Sequence, residues 1–390
     1  MKVFFCLLFM SFSHCYLAAD ESEPMTIHSG VASYDGEALS LTGQVTIEHP
    51  LGIISAKKLM AYPDSSSKQK TKFSLLTLDE EVSIENDSGC LKCQKARLDF
   101  IKLEGNFAGS EEQPEVRYEG KGDTPSSPGL LLSCRSMDVK LERTSASKKM
   151  RLQIASIIAN EAVSASYGEI HLATPHHIEM EQGTLNGKSS VRTLHAPEET
   201  TLVYFDKKTN ISHKAIVYGS AHLDFFQHHA WLDSPRDPHG AVNTNKQVYL
   251  ENAMGEMYAD HVEIAFNDQS NLHTPKKIYL KGSVKILNRF DGHIQESSTV
   301  LQYALADQLE YDPEQEQIYL SADEGKRVLF FDTVNNLQMS APALKILRKS
   351  HDGKASIQGV GDVRFTFLER ELNLLQNRFK MSSPTVQSKG

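Results

Sequence analysis

The chain has 390 residues, of which 40% are hydrophobic and 23% charged, enough for one large or two moderate domains with a buried interior. Its 41 basic and 50 acidic residues leave a formal net charge of -9, and the charges are dispersed along the chain. That excludes the basic stripe of a nucleic-acid coat and the blocked charge of an acidic tail, and no apolar run reaches the roughly 18 residues that a spanning helix needs.

The N-terminus reads as a secretory signal over residues 1–19. Lys2 precedes an apolar stretch from Val3 to Phe12, and the small residues Ala18-Ala19 follow before the acidic Asp20-Glu21. One charge, a short apolar stretch and a small-residue exit is the order of such a segment. Reading Cys15 as a lipidated residue is weaker, because His14 precedes it. Cleavage after Ala19 leaves Cys90, Cys93 and Cys134, an odd count that describes no disulfide framework. Cys90-Leu-Lys-Cys93 has metal or redox spacing but stands without a second Cys pair or a βαβ context. Buried small residues, or one oxidised pair, is the plainer reading.

From residue 25 onward almost nothing reads as helix. Short alternating strands are punctuated by Gly, Pro, Asn, Asp and Ser, the pattern of a sandwich, barrel or solenoid. A repeat runs through them: apolar, any, small, two of any kind, apolar, any, apolar. Ile54, Ala56, Leu59 and Ala61 fill it first, then Leu91, Cys93, Ala96 and Leu98, then Leu132, Cys134, Met137 and Val139. Further along come Met257, Ala259, Val262 and Ile264; Ala304, Ala306, Leu309 and Tyr311; and Met339, Ala341, Leu344 and Ile346. His171, Ala173, His176 and Ile178 make a partial copy, and a doubtful one lies near Ala221.

Side chains two apart in a strand share a face. Each unit keeps that rule, skips three residues once, and resumes it. One extra residue is a β-bulge, which bends the strand and restores the apolar face beyond the bend. The small residue then sits at a corner, and stacked corners crease the sheet into a V with two apolar inner walls. Strands before the corners carry an internal Gly, as in Leu41-Thr-Gly-Gln-Val-Thr-Ile47, Leu280-Lys-Gly-Ser-Val-Lys-Ile286 and Ile357-Gln-Gly-Val-Gly-Asp-Val363, the mark of a bulge or close backbone approach. Leu78-Asp-Glu-Glu-Val-Ser-Ile84 has the same rhythm without it.

The expected loops are 65–70, 109–129, 145–149, 186–190 and 233–245. The last holds Pro235, Pro238 and Gly240 and is the expected boundary between a first block, 25–232, and a second, 246–367. In the tail, 368–390, Leu368, Leu372, Leu375 and Phe379 recur at helical spacing, which predicts a short amphipathic helix that packs over the last strands or docks a partner.

A Leu-x-Gly-x-Val-x-Ile strand followed by an Ala-Asp-x-apolar-x-apolar strand resembles the OstA-like superfamily, of the LptA type of periplasmic lipopolysaccharide-transport protein. Ala259-Asp-His-Val-Glu-Ile264 and Ala306-Asp-Gln-Leu-Glu-Tyr311 carry the likeness best, and Ala56-Lys-Lys-Leu59 is a variant with Lys for Asp. The resemblance spans roughly residues 25 to 367 and fits poorly over 109–129 and 142–247. It implies an all-β fold, an elongated V-shaped β-jellyroll of stacked antiparallel strands that shields lipid A acyl chains and joins like modules end to end. It also implies a periplasmic location, lipopolysaccharide as ligand, and inner- and outer-membrane transport components as partners. On that reading the groove is lined by Val45, Ile47, Ile54, Leu59, Val82, Ile84, Val262, Ile264, Val284, Ile286, Leu309 and Val363.

No catalytic constellation emerges. Glu80-Glu81 and Glu111-Glu112 read as solvated faces, and the doublets His176-His177 and His228-His229 point to opposite sides of a strand. There is no phosphate-binding Gly loop, nucleophile elbow or metalloprotease motif. The expectation is a non-enzymatic protein with no cofactor, no metal and no nucleic-acid partner. The rival readings are a structural or adhesion module with a filled core, and a polysaccharide-acting β-solenoid enzyme.

Overall fold

The structure, a computed structural model, describes residues 26–63, 73–86, 88–122, 129–146, 149–185, 188–206, 210–252, 255–267, 275–288, 302–333, 336–347 and 356–366. The signal segment 1–19 and the amphipathic tail 368–390 lie outside them. The protein is nearly all β, with large antiparallel sheet throughout; the one helical element among the described residues is the 3-10 turn Thr244–Lys246. Among the described residues no helix is long and apolar enough to cross a membrane.

Two compact units divide the chain, residues 1–200 with 222–227 and residues 201–221 with 228–390. The division does not fall at the expected boundary 233–245, which lies inside the second unit as an ordered loop. There Ser234 Oγ donates to the Ala259 carbonyl and accepts from the Val248 amide, and the Asp237 carboxylate accepts from the His239 and Ala241 amides. Those bonds pin a segment whose Pro and Gly content alone suggests a linker. A second difference concerns 109–129, expected as loop, where Val116–Gly120 is a strand whose Val116 and Tyr118 are buried.

In each unit the strands cross a crease. In the first unit the ladder shifts register between Thr42 and Val45, between Ser55 and Lys58, and between Asp79 and Val82. Elsewhere the chain breaks instead of bulging: Leu130–Cys134 and Ser136–Ala146 are separated only by Arg135. Strand residues on one side of the crease pair with each other and form wall one; those on the other side form wall two. Thus Gly89–Asp99 pairs through its first half with Val116–Gly120 and through its second half with Glu104–Ala108.

The bulges need special backbone. Gly43 has φ 76° and Gly282 has φ 77°, where a side chain is strained; at Gly282 a Cβ would also fall 2.4 Å from Asp260 Oδ2. In the strand that lacks the glycine, Glu80 and Glu81 themselves take φ 64° and 53°. Both are exposed and reach back across the bend to Lys58 and Lys57, each at 2.6 Å.

The small residues stack against valines at the crease. Ala56 faces Val45, Cys93 faces Val82, Cys134 faces Val116 and Thr174 faces Val163 in the first unit. In the second, Ala259 faces Val248, Ala306 faces Val284 and Ala341 faces Val328. All but the half-buried Ala306 are buried. The partial copy was misaligned by one residue: Ala173 points outward and Thr174 takes the corner, because the link there is two residues long, Pro175-His176.

Candidate apolar trough

Of the expected groove residues, those from Val45 to Leu309 lie on strands and are buried or, at Ile264, half-buried, whereas Val363 lies in the link between two strands. In the first unit, Ile47, Ile54 and Ile84 form one cross-strand row that continues through Leu91, Tyr118, Leu132, Ala165 and Leu172 on wall one. Leu59 lies on wall two beside Leu78, and Val45 and Val82 sit on the crease. All six are buried.

This interior is filled. Between the walls a cavity of about 10 Å³ is lined by Ile84, Leu91 and Tyr118 on one side and Phe107 and Val139 on the other. Such a volume holds at most about one water. The mouth is also tied shut. Tyr118 Oη and Gln182 Nε2 are 2.9 Å apart, joining wall one to the strand His177–Leu185 of wall two, and Leu152 N donates to the Pro50 carbonyl at 3.4 Å. Burial pushes the Tyr118 hydroxyl up to about 12, so it stays neutral, and its oxygen accepts the bond that Gln182 Nε2 donates. Beside Pro50, His49 packs against Phe100 with ring centroids 4.5 Å apart and planes tilted by 30°, and accepts the Leu51 amide on Nδ1. Its burial depresses the imidazole pKa to about 4.

The second unit differs. Near the crease it is as tightly packed, with Val262, Leu280, Val284, Leu309, Leu320 and Leu344 buried. One row further out, Ala230, Ile264, Ile278, Tyr311, Ile318, Ile346 and Ile357 follow one another in register across wall two. Of these Ile264, Ile278, Tyr311, Ile346 and Ile357 are only half-buried. On wall one the paired residues Met257 and Ile286 are half-buried and 8% exposed. The rim of wall one is polar: Asn288 donates to Gln302 at 3.4 Å and Gln302 to Asp332 at 2.9 Å. Val363 packs over Gly359 at the terminal edge.

Sequence reasoning missed both closing devices, since Tyr118 and Gln182 lie in the stretches that fit the repeat poorly. The polar rim was missed as well. Its signal was present: Asn288, Gln302 and Asp332 each continue an inward alternation, as in Val284, Ile286, Asn288.

Cys93 and Cys134 are buried free thiols pushed up to about 12, far from the thiolate a nucleophile requires. His176 and His177, expected on opposite faces, both approach Glu198, at 3.2 and 4.0 Å, because His176 lies in the corner link. His229 reaches Glu263 diagonally at 3.4 Å, and His261 faces its cross-strand partner Asp233 at 2.7 Å. Among the described residues no group of three or more His, Cys, Asp or Glu converges to hold a metal. Compared with known proteins, the chain matches no family model and no curated protein.

Proposed function

We propose that this protein is a periplasmic lipid carrier of the OstA-like, LptA type. On this reading it is a V-shaped β-jellyroll, ended by a short C-terminal helix, that shields lipid A acyl chains while lipopolysaccharide passes from the inner to the outer membrane. It performs no catalysis: it lowers the free energy of an acyl chain outside a bilayer by keeping water from it. The observation that carries the reading is the inner row of the second unit, in which Ile264, Ile278, Tyr311 and Ile346 are half-exposed beside the buried Ile318, an apolar face of the kind that marks a binding surface. Each sheltered methylene contributes about 0.8 kcal/mol, so a dozen amount to about 10 kcal/mol before association costs. The polar rim Asn288-Gln302-Asp332 suits the carbonyls and hydroxyls at the head of such chains.

Transport components in the two membranes are the partners this reading requires. Head-to-tail joining is compatible with the edge strands: Val31–Tyr34 is paired to Leu39–His49 alone among the described residues, with Val31 and Tyr34 exposed, and a bare edge is a site for strand addition.

A photoreactive amino acid at Ile278 should crosslink co-purified lipopolysaccharide, and Ile264→Asp should abolish that product while the chain stays folded. Retained crosslinking in the folded Ile264→Asp variant would overturn the reading. The second reading, a structural β-repeat scaffold, is favoured by the filled interior of the first unit; it predicts no lipid in mass spectra of the purified chain.

A further inference from the structure

On the outer face of wall one in the first unit, the row nearest the crease is polar and the next carries Ile53 and Leu131 among glutamates. Thr46, Ser55, Ser83, Lys92, Arg117 and Ser133 follow one another in register along the polar row. The corresponding face of the second unit differs. There Tyr258, Lys285, Leu305 and Leu329 form one row and Leu287, Tyr303 and Phe331 the next. Tyr303 and Phe331 stack at 4.3 Å with 10° between their planes, and Leu305 is 38% exposed. Over these central strands wall one carries apolar side chains on both sides, as the run Val328-Leu-Phe-Phe331 states in sequence, while its outer rows end in Glu256, Ser340 and Gln338. The inner side belongs to the trough; the outer side has no role in it.

We propose that residues 367–390 of this same chain fold back over that outer face, seating Leu368, Leu372, Leu375 and Phe379 against Tyr303, Leu305, Leu329 and Phe331. Three observations select this occupant. The strand Arg364–Thr366 lies at the edge of wall one, paired to Leu337–Ala341, which pairs to Val328–Asp332. Thr366 shares a row with Gln338 and Phe331, so the chain leaves the wall beside the patch. Length agrees too: three strand spacings, about 14 Å, separate Thr366 from Leu305, and twelve residues in helix extend about 18 Å. Finally, the four apolar residues recur every three or four positions among Glu369, Arg370, Glu371 and Arg378, giving one greasy stripe for the patch and one charged side for water. A helix laid there would remove a surface that otherwise invites association, without entering the trough.

The test places the photocrosslinker p-benzoylphenylalanine at Leu305 in the full chain, with Ser133 as the matching position in the first unit. Illumination should give an intramolecular product from Leu305 whose crosslinked peptide falls within 367–390, and none from Ser133. In the double variant Leu372→Asp, Leu375→Asp, which leaves every described residue unchanged, that product should fall about tenfold, the equivalent of ~1.4 kcal/mol. A product at twice the chain mass would assign the patch to a second copy, and a lipid adduct would assign it to a bilayer. Either result overturns the proposal, as would capture of residues 289–301, equal tail capture from Ser133, or no crosslink. None of these outcomes bears on lipid capture at Ile278.

Discussion

One row of inward side chains can be followed at the same height in both units. In the first it runs Ala61, Leu76, Leu98, Gly105, Val139, Ile157, Met180, and every member is buried. In the second it runs Ala230, Ile264, Ile278, Tyr311, Ile318, Ile346, and all but Ala230 and Ile318 are half-buried. The sequence motif, the crease and the valine opposite each corner are shared. What differs is the closure at the mouth: the turn 49–52, Phe100, and the bond from Tyr118 to Gln182 seal the first unit, whereas the second ends in a polar rim. A shared motif builds a creased sheet in both places and leaves open whether the crease encloses a core or a trough.

The sharpest way to break this comparison is to truncate one residue in each row. Ile157→Ala, at a site with no exposure, should cost about 2–5 kcal/mol in denaturant unfolding. Ile264→Ala should cost about 1 kcal/mol, since solvent already reaches the side chain. Equal losses would mean that the second interior is as filled as the first.

Acid should sharpen it further. His49 is depressed from the ordinary 6.5 to about 4 by burial, so between those values the unfolded chain binds a proton that the folded chain refuses. Stability is then complete above about pH 6.5 and lost as pH falls toward 4, by about 3 kcal/mol. Thermal unfolding of the first unit should follow that slope, and His49→Phe should flatten it. A slope unchanged by the substitution would detach His49 from the closure.

The smallest effect is expected at the latch. Tyr118→Phe should lower stability by about 1 kcal/mol, and a double-mutant cycle with Gln182→Leu should show coupling.

Several particulars were legible from residue order alone. The three-residue skip in Ile54-Ala56-Leu59-Ala61 and its relatives announced a bend, and the bulges lie where the skips do. Gly43 and Gly282 announced the φ their positions require. The partner of each corner was less visible, because a valine lies opposite through register set by neighbouring strands, 11 residues away for Ala56 and 22 for Ala306. The strand Val116–Gly120 hid within a stretch rich in Gly, Pro and Ser, since five residues are too few for alternation to outweigh turn formers. The segment 233–245 looked like a linker because composition does not reveal the hydrogen bonds that hold it.

Of the candidate site, residue order supplied the list and the face. Period-two alternation decides which side of a strand a residue takes, and that is a local property of the chain. Whether Ile54 and Ile264 are equally hidden is not local. It depends on what the far ends of distant strands bring across the mouth, a turn and a tyrosine in one unit and an amide and a carboxylate in the other. Tertiary packing alone decided that, because burial is a relation between segments that the chain keeps apart.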